Sequence, residues 1–235
     1  MLSEFREDNY NLWSTGHGPY ILLCLLFFAI FIGPPLIKIG LISEDVVEFA
    51  FLIVLILGVF TISTNYLLRG GILLIAFLSF TSRILHQINP NFILSISNDI
   101  FAILTLSIFI FLMVRRFILE IIDMRYRIAA AVAIYLLFGL LWARFYQILY
   151  SINPAFFLMS SQDNEFSLIY FSFVTLVSLG YGDIVPVSVT ARSLAILEGV
   201  IGQLYLVIMI SSMVAKLSPV SIKEARDKIL EKKEV

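Results

Sequence analysis

The stretch Thr175-Leu-Val-Ser-Leu-Gly-Tyr-Gly-Asp183, followed by Ile-Val-Pro186, constrains this chain more than any other. Two glycines flank a tyrosine. The stretch lies between an aromatic, apolar segment, Phe166 to Val177, and a long apolar run, Ala191 to Leu217. That run is long enough to cross a bilayer core, which takes about 20 residues of helix. The glycine stretch is therefore irregular backbone between membrane-inserted segments. A bilayer tolerates such backbone only where protein buries it or where it lines a water-filled path. Glycine at alternate positions reaches conformations closed to other residues, which lets successive carbonyls point one way.

The rest of the chain fits a membrane setting. It is 60% hydrophobic and only 14% charged over 235 residues, which makes it a polytopic helical membrane protein. Apolar runs predict six spans: about Pro19 to Ile39, Val46 to Tyr66, Gly71 to Leu85, Ser97 to Val114, Ile128 to Tyr150, and Ala191 to Leu217. Gly33-Pro-Pro35 interrupts the first and predicts a kink or an early end. A net charge of -1 gives nucleic-acid binding no support. The lone cysteine, Cys24, excludes a disulfide framework within the chain and reads as a small core residue. His17 and His86 stand apart from any ligand cluster, so a resident metal is not expected. No nucleophile–base set is visible, and an enzyme is not expected. The acidic opening, Met1 to Asp8, is unlike a secretory signal, so the first run is expected to stay as a span.

Ser178-Leu-Gly-Tyr-Gly-Asp183 resembles the potassium-channel signature T-V-G-Y-G-D. The resemblance covers the segment from about Tyr126 to Leu217, in the order helix, pore loop, helix. It implies an all-α membrane protein with six transmembrane helices plus a re-entrant pore helix and filter loop. It implies passive conduction of potassium, with K+ held at Ser178, Leu179, Gly180 and Tyr181 and the filter closed by Gly182. One loop supplies one quarter of a carbonyl ring, so a homotetramer is implied. Ser178 stands where Thr is usual and Leu179 where Val is usual. Ser keeps the hydroxyl ligand, but the stiffness of two β-branched side chains is reduced. A weakly selective cation channel is therefore one rival reading, and a non-conducting membrane subunit or scaffold is another.

The same resemblance places the supporting residues. Thr175 falls at the end of the pore helix. Tyr170 and Phe171 fall where the family carries aromatics that pack around the filter. Asp183 sits at the pore mouth, where it concentrates cations or bonds its own pore helix. Gly202 falls at the hinge of the inner helix, with close helix packing as the competing explanation. Gln203, Leu206 and Ile210 turn toward the cavity, although the Gln203 amide also suits a bond to a neighbouring helix. Glu198 and Arg144 are ionisable groups within apolar helices, where such groups are costly and usually paired. Both lie about 10 Å below the outer boundary at 1.5 Å per residue, so they are expected to pair, or Glu198 to bond the back of the pore helix, in either case bracing the filter.

Residues 1–18 are expected as a cytoplasmic segment, 19–116 as a four-helix bundle, 117–127 as an interfacial linker, 128–217 as the pore domain and 218–235 as a cytoplasmic tail. The lead carries Leu2, Phe5, Tyr10 and Trp13, which suit an interfacial helix or a frayed end equally. The linker reads equally as a simple extension of the fourth or fifth helix. The fourth span holds no arginine, so the bundle lacks the charges of a voltage sensor. It is expected to brace the pore or to bind a lipid or small ligand. Lys38, Arg83, Arg144 and Arg192 lie at or near the outer side when both termini are cytoplasmic, and the other basic residues fall inside. This predicts a multi-pass cell-membrane protein in contact with lipid, its glycine stretch in the outer half.

Overall fold

The computed structural model describes residues 18–43, isolated positions between 70 and 85, and residues 91–119, 124–159 and 165–217. Four helices among these are long and apolar enough to cross a membrane: Pro19–Lys38, Phe92–Arg115, Tyr126–Ile152 and Val189–Ala215. They correspond to the first, fourth, fifth and sixth expected spans. The second, Val46 to Tyr66, lies outside the described residues, as do the lead before Gly18 and the tail after Leu217. The third is helical at the positions described within it, including Gly71, Ser79 and Ser82.

The first span contains three pieces. Helix α1 (Gly18–Phe27) runs into a π-helical turn (Phe28–Ile32) and then into α2 (Gly33–Lys38). Pro34 and Pro35 have no N–H to give to the preceding turn. The wider turn absorbs that loss, with Gly33 N–H donating five residues back to Phe28 O. The interruption expected at Gly33-Pro-Pro35 is thus a change of helical register, and the span continues to Lys38. Cys24 is exposed on α1, which corrects its reading as a core residue.

Helix α3 (Phe92–Leu119) and helix α4 (Met124–Ile152) are each longer than the spans they contain. The linker segment therefore consists of the end of α3 and the start of α4, with 120–123 outside the described residues. The re-entrant helix α5 (Glu165–Leu176) and the inner helix α6 (Val189–Leu217) complete the set. A core of Leu22, Leu26, Phe109, Met113, Ile134 and Leu137 joins α1, α3 and α4. A second core of Trp142, Tyr146, Phe157, Leu168, Phe171 and Ala191 joins α4, α5 and α6. Small residues bring these helices close. A Cβ added at Gly139 of α4 meets the Phe173 ring of α5 at 2.6 Å.

Two short strands, β1 (Phe157–Leu158) and β2 (Val185–Pro186), pair antiparallel with Phe157 opposite Pro186. Phe156 O extends the pairing by accepting from Val187 N at 2.9 Å. This clasp ties the segment that leaves α4 to the segment that leaves the glycine stretch. Pro186 fits because Pro within strands is confined to small or edge positions that need no donor from it.

Candidate functional site

The glycine stretch begins as a helix cap. Helix α5 ends at Leu176, and two bonds close it: Leu179 N donates to Val174 O at 2.8 Å and Ser178 N to Thr175 O at 2.9 Å. This nested pair is a Schellman motif, whose closing residue takes a left-handed conformation and is usually glycine. Here the closing residue is Ser178, at φ 57°. A left-handed side chain costs about 1–2 kcal/mol. Serine thus stands where local backbone preference asks for glycine, which marks its hydroxyl as the reason for its presence.

Left-handed residues then recur at alternate positions. Gly180 has φ 60° and Gly182 has φ 78°, whereas Leu179 and Tyr181 are not left-handed. A Cβ added at Gly180 or Gly182 meets nothing within 4 Å, so conformation and not space calls for glycine here. Leu179 and Tyr181 are exposed, Tyr181 at 68%.

The end of α5 is held from two sides. The Tyr135 hydroxyl of α4 donates to Leu176 O at 3.0 Å. From α6, a Cβ added at Gly202 would lie 2.7 Å from the same oxygen and 2.9 Å from Leu176 Cδ1. Helix α6 runs unbroken through Gly202. This is the close packing named above as the competing explanation for Gly202. Thr175 O and Val174 O are taken by the cap, and the Thr175 side chain lines an open groove with Ser178, Gly180 and Gln203. This groove, of about 590 Å³, is otherwise apolar on its α6 side. Gln203 Nε2 donates to Ser178 Oγ at 3.0 Å. Leu206 and Ile210 continue down α6 as exposed apolar residues.

Tyr170 and Phe171 are neighbours with different tasks. Tyr170 stacks on Tyr181 with centroids 6.5 Å apart and planes 3° from parallel. Its hydroxyl is hydrogen-bonded to Asp183. Asp183 thus bonds α5, the helix that precedes it. Phe171 is buried against Tyr146 at 4.9 Å and Phe157 at 5.6 Å, on the scaffold side of α5.

Glu198 is fully buried. The Tyr146 hydroxyl bonds Glu198 Oε2 at 2.5 Å, and Ser172 Oγ lies 2.5 Å from Oε1. Ser172 Oγ also donates to Gly139 O at 2.7 Å. Serine carries one hydrogen and here meets two acceptor atoms. All three contacts are satisfied together when Glu198 carries a proton and gives it to Ser172. The carboxyl then links α4, α5 and α6 without a buried charge, which would be expensive unpaired.

The expected pairing of Arg144 with Glu198 is not formed. Arg144 pairs with Asp99 of α3 at 3.3 Å and donates to Gln147 Oε1 at 3.0 Å. Depth along the membrane does not fix direction around a helix. Residues 144 and 146 are two apart, about 200° around a helix of 3.6 residues per turn. The face that carries Tyr146 toward Glu198 therefore carries Arg144 away from it. The alternative, Glu198 against the back of the pore helix, is the arrangement found. Arg144 ties α4 to α3 instead.

Asp99, Tyr146 and Ser172 were not singled out from the sequence, nor was the strand clasp. Asp99 alone carried a signal, as an acid among apolar residues of the fourth span. Comparison with known proteins comes to one finding: residues 130–218, less than half of the chain, match a family model described as ion channel. No curated protein and no solved structure matches the chain. The matched segment takes in α4 from its second turn, α5, the glycine stretch and α6. It supports ion conduction in general and, with the four apolar helices, a membrane location.

Proposed function

We propose that four copies of this chain surround a common axis and pass potassium passively across the membrane. In this reading the carbonyls of Ser178, Leu179, Gly180 and Tyr181, with the Ser178 hydroxyl, replace the water around a dehydrated cation. Potassium is the cargo. Nothing is consumed, and the ion moves down its gradient.

The observation that carries this reading is the alternation of left-handed residues at Ser178, Gly180 and Gly182. When every second residue reverses hand, successive peptide oxygens face one side of the chain. A single strand of this kind, with Leu179 and Tyr181 exposed beside it, needs neighbours to enclose it. Helix α6 supports the same conclusion, since only 17% of its apolar span is buried. Its exposed Ile196, Val200 and Leu204 line the groove beside the filter. The groove is suited to a second copy.

Thallium or rubidium flux into liposomes that hold the purified protein alone tests the proposal. Uptake is expected with the wild type and not with Gly180→Ala, whose left-handed position disfavours a side chain. Replacement of external potassium by sodium should move the reversal potential strongly. Equal permeation of the two ions would support a weakly selective channel, and a silent but folded tetramer would support a scaffold.

A further inference from the structure

Resting on the channel reading above, we infer that Gln203 fixes the Ser178 hydroxyl as the innermost cation ligand and so tunes which cation the lower end of the filter accepts. The geometry carries this. Gln203 Nε2 donates to Ser178 Oγ at 3.0 Å. Among the α6 residues that line the groove, the others are Ala195, Ile196, Gly199, Val200 and Leu204, so Gln203 alone offers a hydrogen bond from its side chain.

The chemistry explains why such a bond is needed. A serine hydroxyl has one hydrogen and two lone pairs, and it rotates freely. A threonine at the same place would be stiffened at χ1 by its β-methyl. Serine lacks that restraint, and the amide supplies another. It takes one lone pair of Oγ, which leaves the second in a defined direction for a cation. The amide is neutral, so it orients the ligand without adding a charge.

The donor is itself held in place. Gly202, the preceding residue, lies against the Leu176 carbonyl, where even a Cβ would come to 2.7 Å. The backbone of Gln203 cannot shift toward α5 without moving the pore helix. The acceptor is equally fixed, because Ser178 closes the Schellman cap of that helix. The bond joins two anchored points. Gln203 is thus a positioning residue for the proposed ion path, acting through Ser178.

The test is the potassium-to-sodium permeability ratio, read from reversal potentials, for wild type, Gln203→Met, Ser178→Ala and the double variant. Met keeps the length of the side chain and removes the donor. The ratio is expected to fall about two- to tenfold in Gln203→Met, the scale of one hydrogen bond. On the Ser178→Ala background the same change should have no further effect, because the partner is already gone. A structural role alone would lower thermal stability and leave the ratio unchanged. Should Gln203→Met not assemble, Gln203→Leu, neutral and also unable to donate, takes its place with the same expected fall. A conducting variant with an unchanged ratio overturns this inference alone, as does a fall that persists undiminished on Ser178→Ala. A silent wild type overturns the channel reading and this inference with it.

Discussion

Glu198 offers the sharpest test of how the pore loop is supported. Glu198→Ala removes the acceptor of the Tyr146 hydroxyl and the partner of Ser172. Ser172 keeps its bond to Gly139 O, so its loss is partial. Tyr146 is fully buried, and stranding its hydroxyl costs about 1–3 kcal/mol. The emptied space adds a cavity term of about 24 cal/mol per Å³ wherever neighbours fail to close it. A loss of about 3 kcal/mol per subunit is a fair central figure when these two terms are combined. Glu198→Gln behaves differently. Its amide N–H donates to Ser172 Oγ and its carbonyl accepts from Tyr146, which reproduces the neutral acid. That change should cost less than about 1 kcal/mol, below the usual effect of a disruptive point mutation. Thermal melts of the purified protein, paired with liposome flux, read both effects. If Gln proves as damaging as Ala, the carboxyl is needed as a charge and the proton count is wrong. If neither change lowers the melting temperature, the link between the three helices is not a support at all.

Four further outcomes follow from the geometry. Gly202→Ala forces a methyl against the Leu176 carbonyl and should cost about 1–3 kcal/mol in a melt, the range for overpacking. Gly199→Ala, whose Cβ would meet Thr175 O at 3.9 Å, should be near neutral and serves as its control. A double-mutant cycle should find coupling of about 1 kcal/mol or more between Arg144 and Asp99, and none above about 0.5 kcal/mol between Arg144 and Glu198. Tyr170→Phe keeps the stack on Tyr181 and loses the Asp183 bond, so flux should fall modestly while the melt stays within about 0.5 kcal/mol of wild type, as for an exposed position.

The helices of the outer module were legible because length and hydropathy fix them. Pore helix α5 was expected from Phe166 to Val177 and spans Glu165–Leu176. Glu198 was also legible, because an acid in an apolar helix asks for a partner. Its choice between Arg144 and the pore helix depended on azimuth, which a depth argument cannot supply. Tyr170 and Phe171 read alike as aromatics, yet adjacent positions on a helix face about 100° apart, and one meets Tyr181 while the other meets Tyr146 and Phe157. The clasp of Phe157–Leu158 with Val185–Pro186 was not legible, since two-residue strands carry no periodicity to detect. The left-handed Ser178 was hidden for a related reason. A Schellman cap announces itself in sequence through glycine, and here the glycine is missing.

The clasp and the Tyr135 bond have a joint consequence for motion. Both abutments of the glycine loop rest on one girder: one end hangs from Tyr135 of α4, and the other is stitched to Phe157–Leu158, a few residues past the end of α4. A tilt of that girder carries the two ends together. The loop can then travel as one rigid span, with its rungs unsheared. A force arriving through the Asp99–Arg144 tie would therefore shift the whole loop before it could disorder the residues within it.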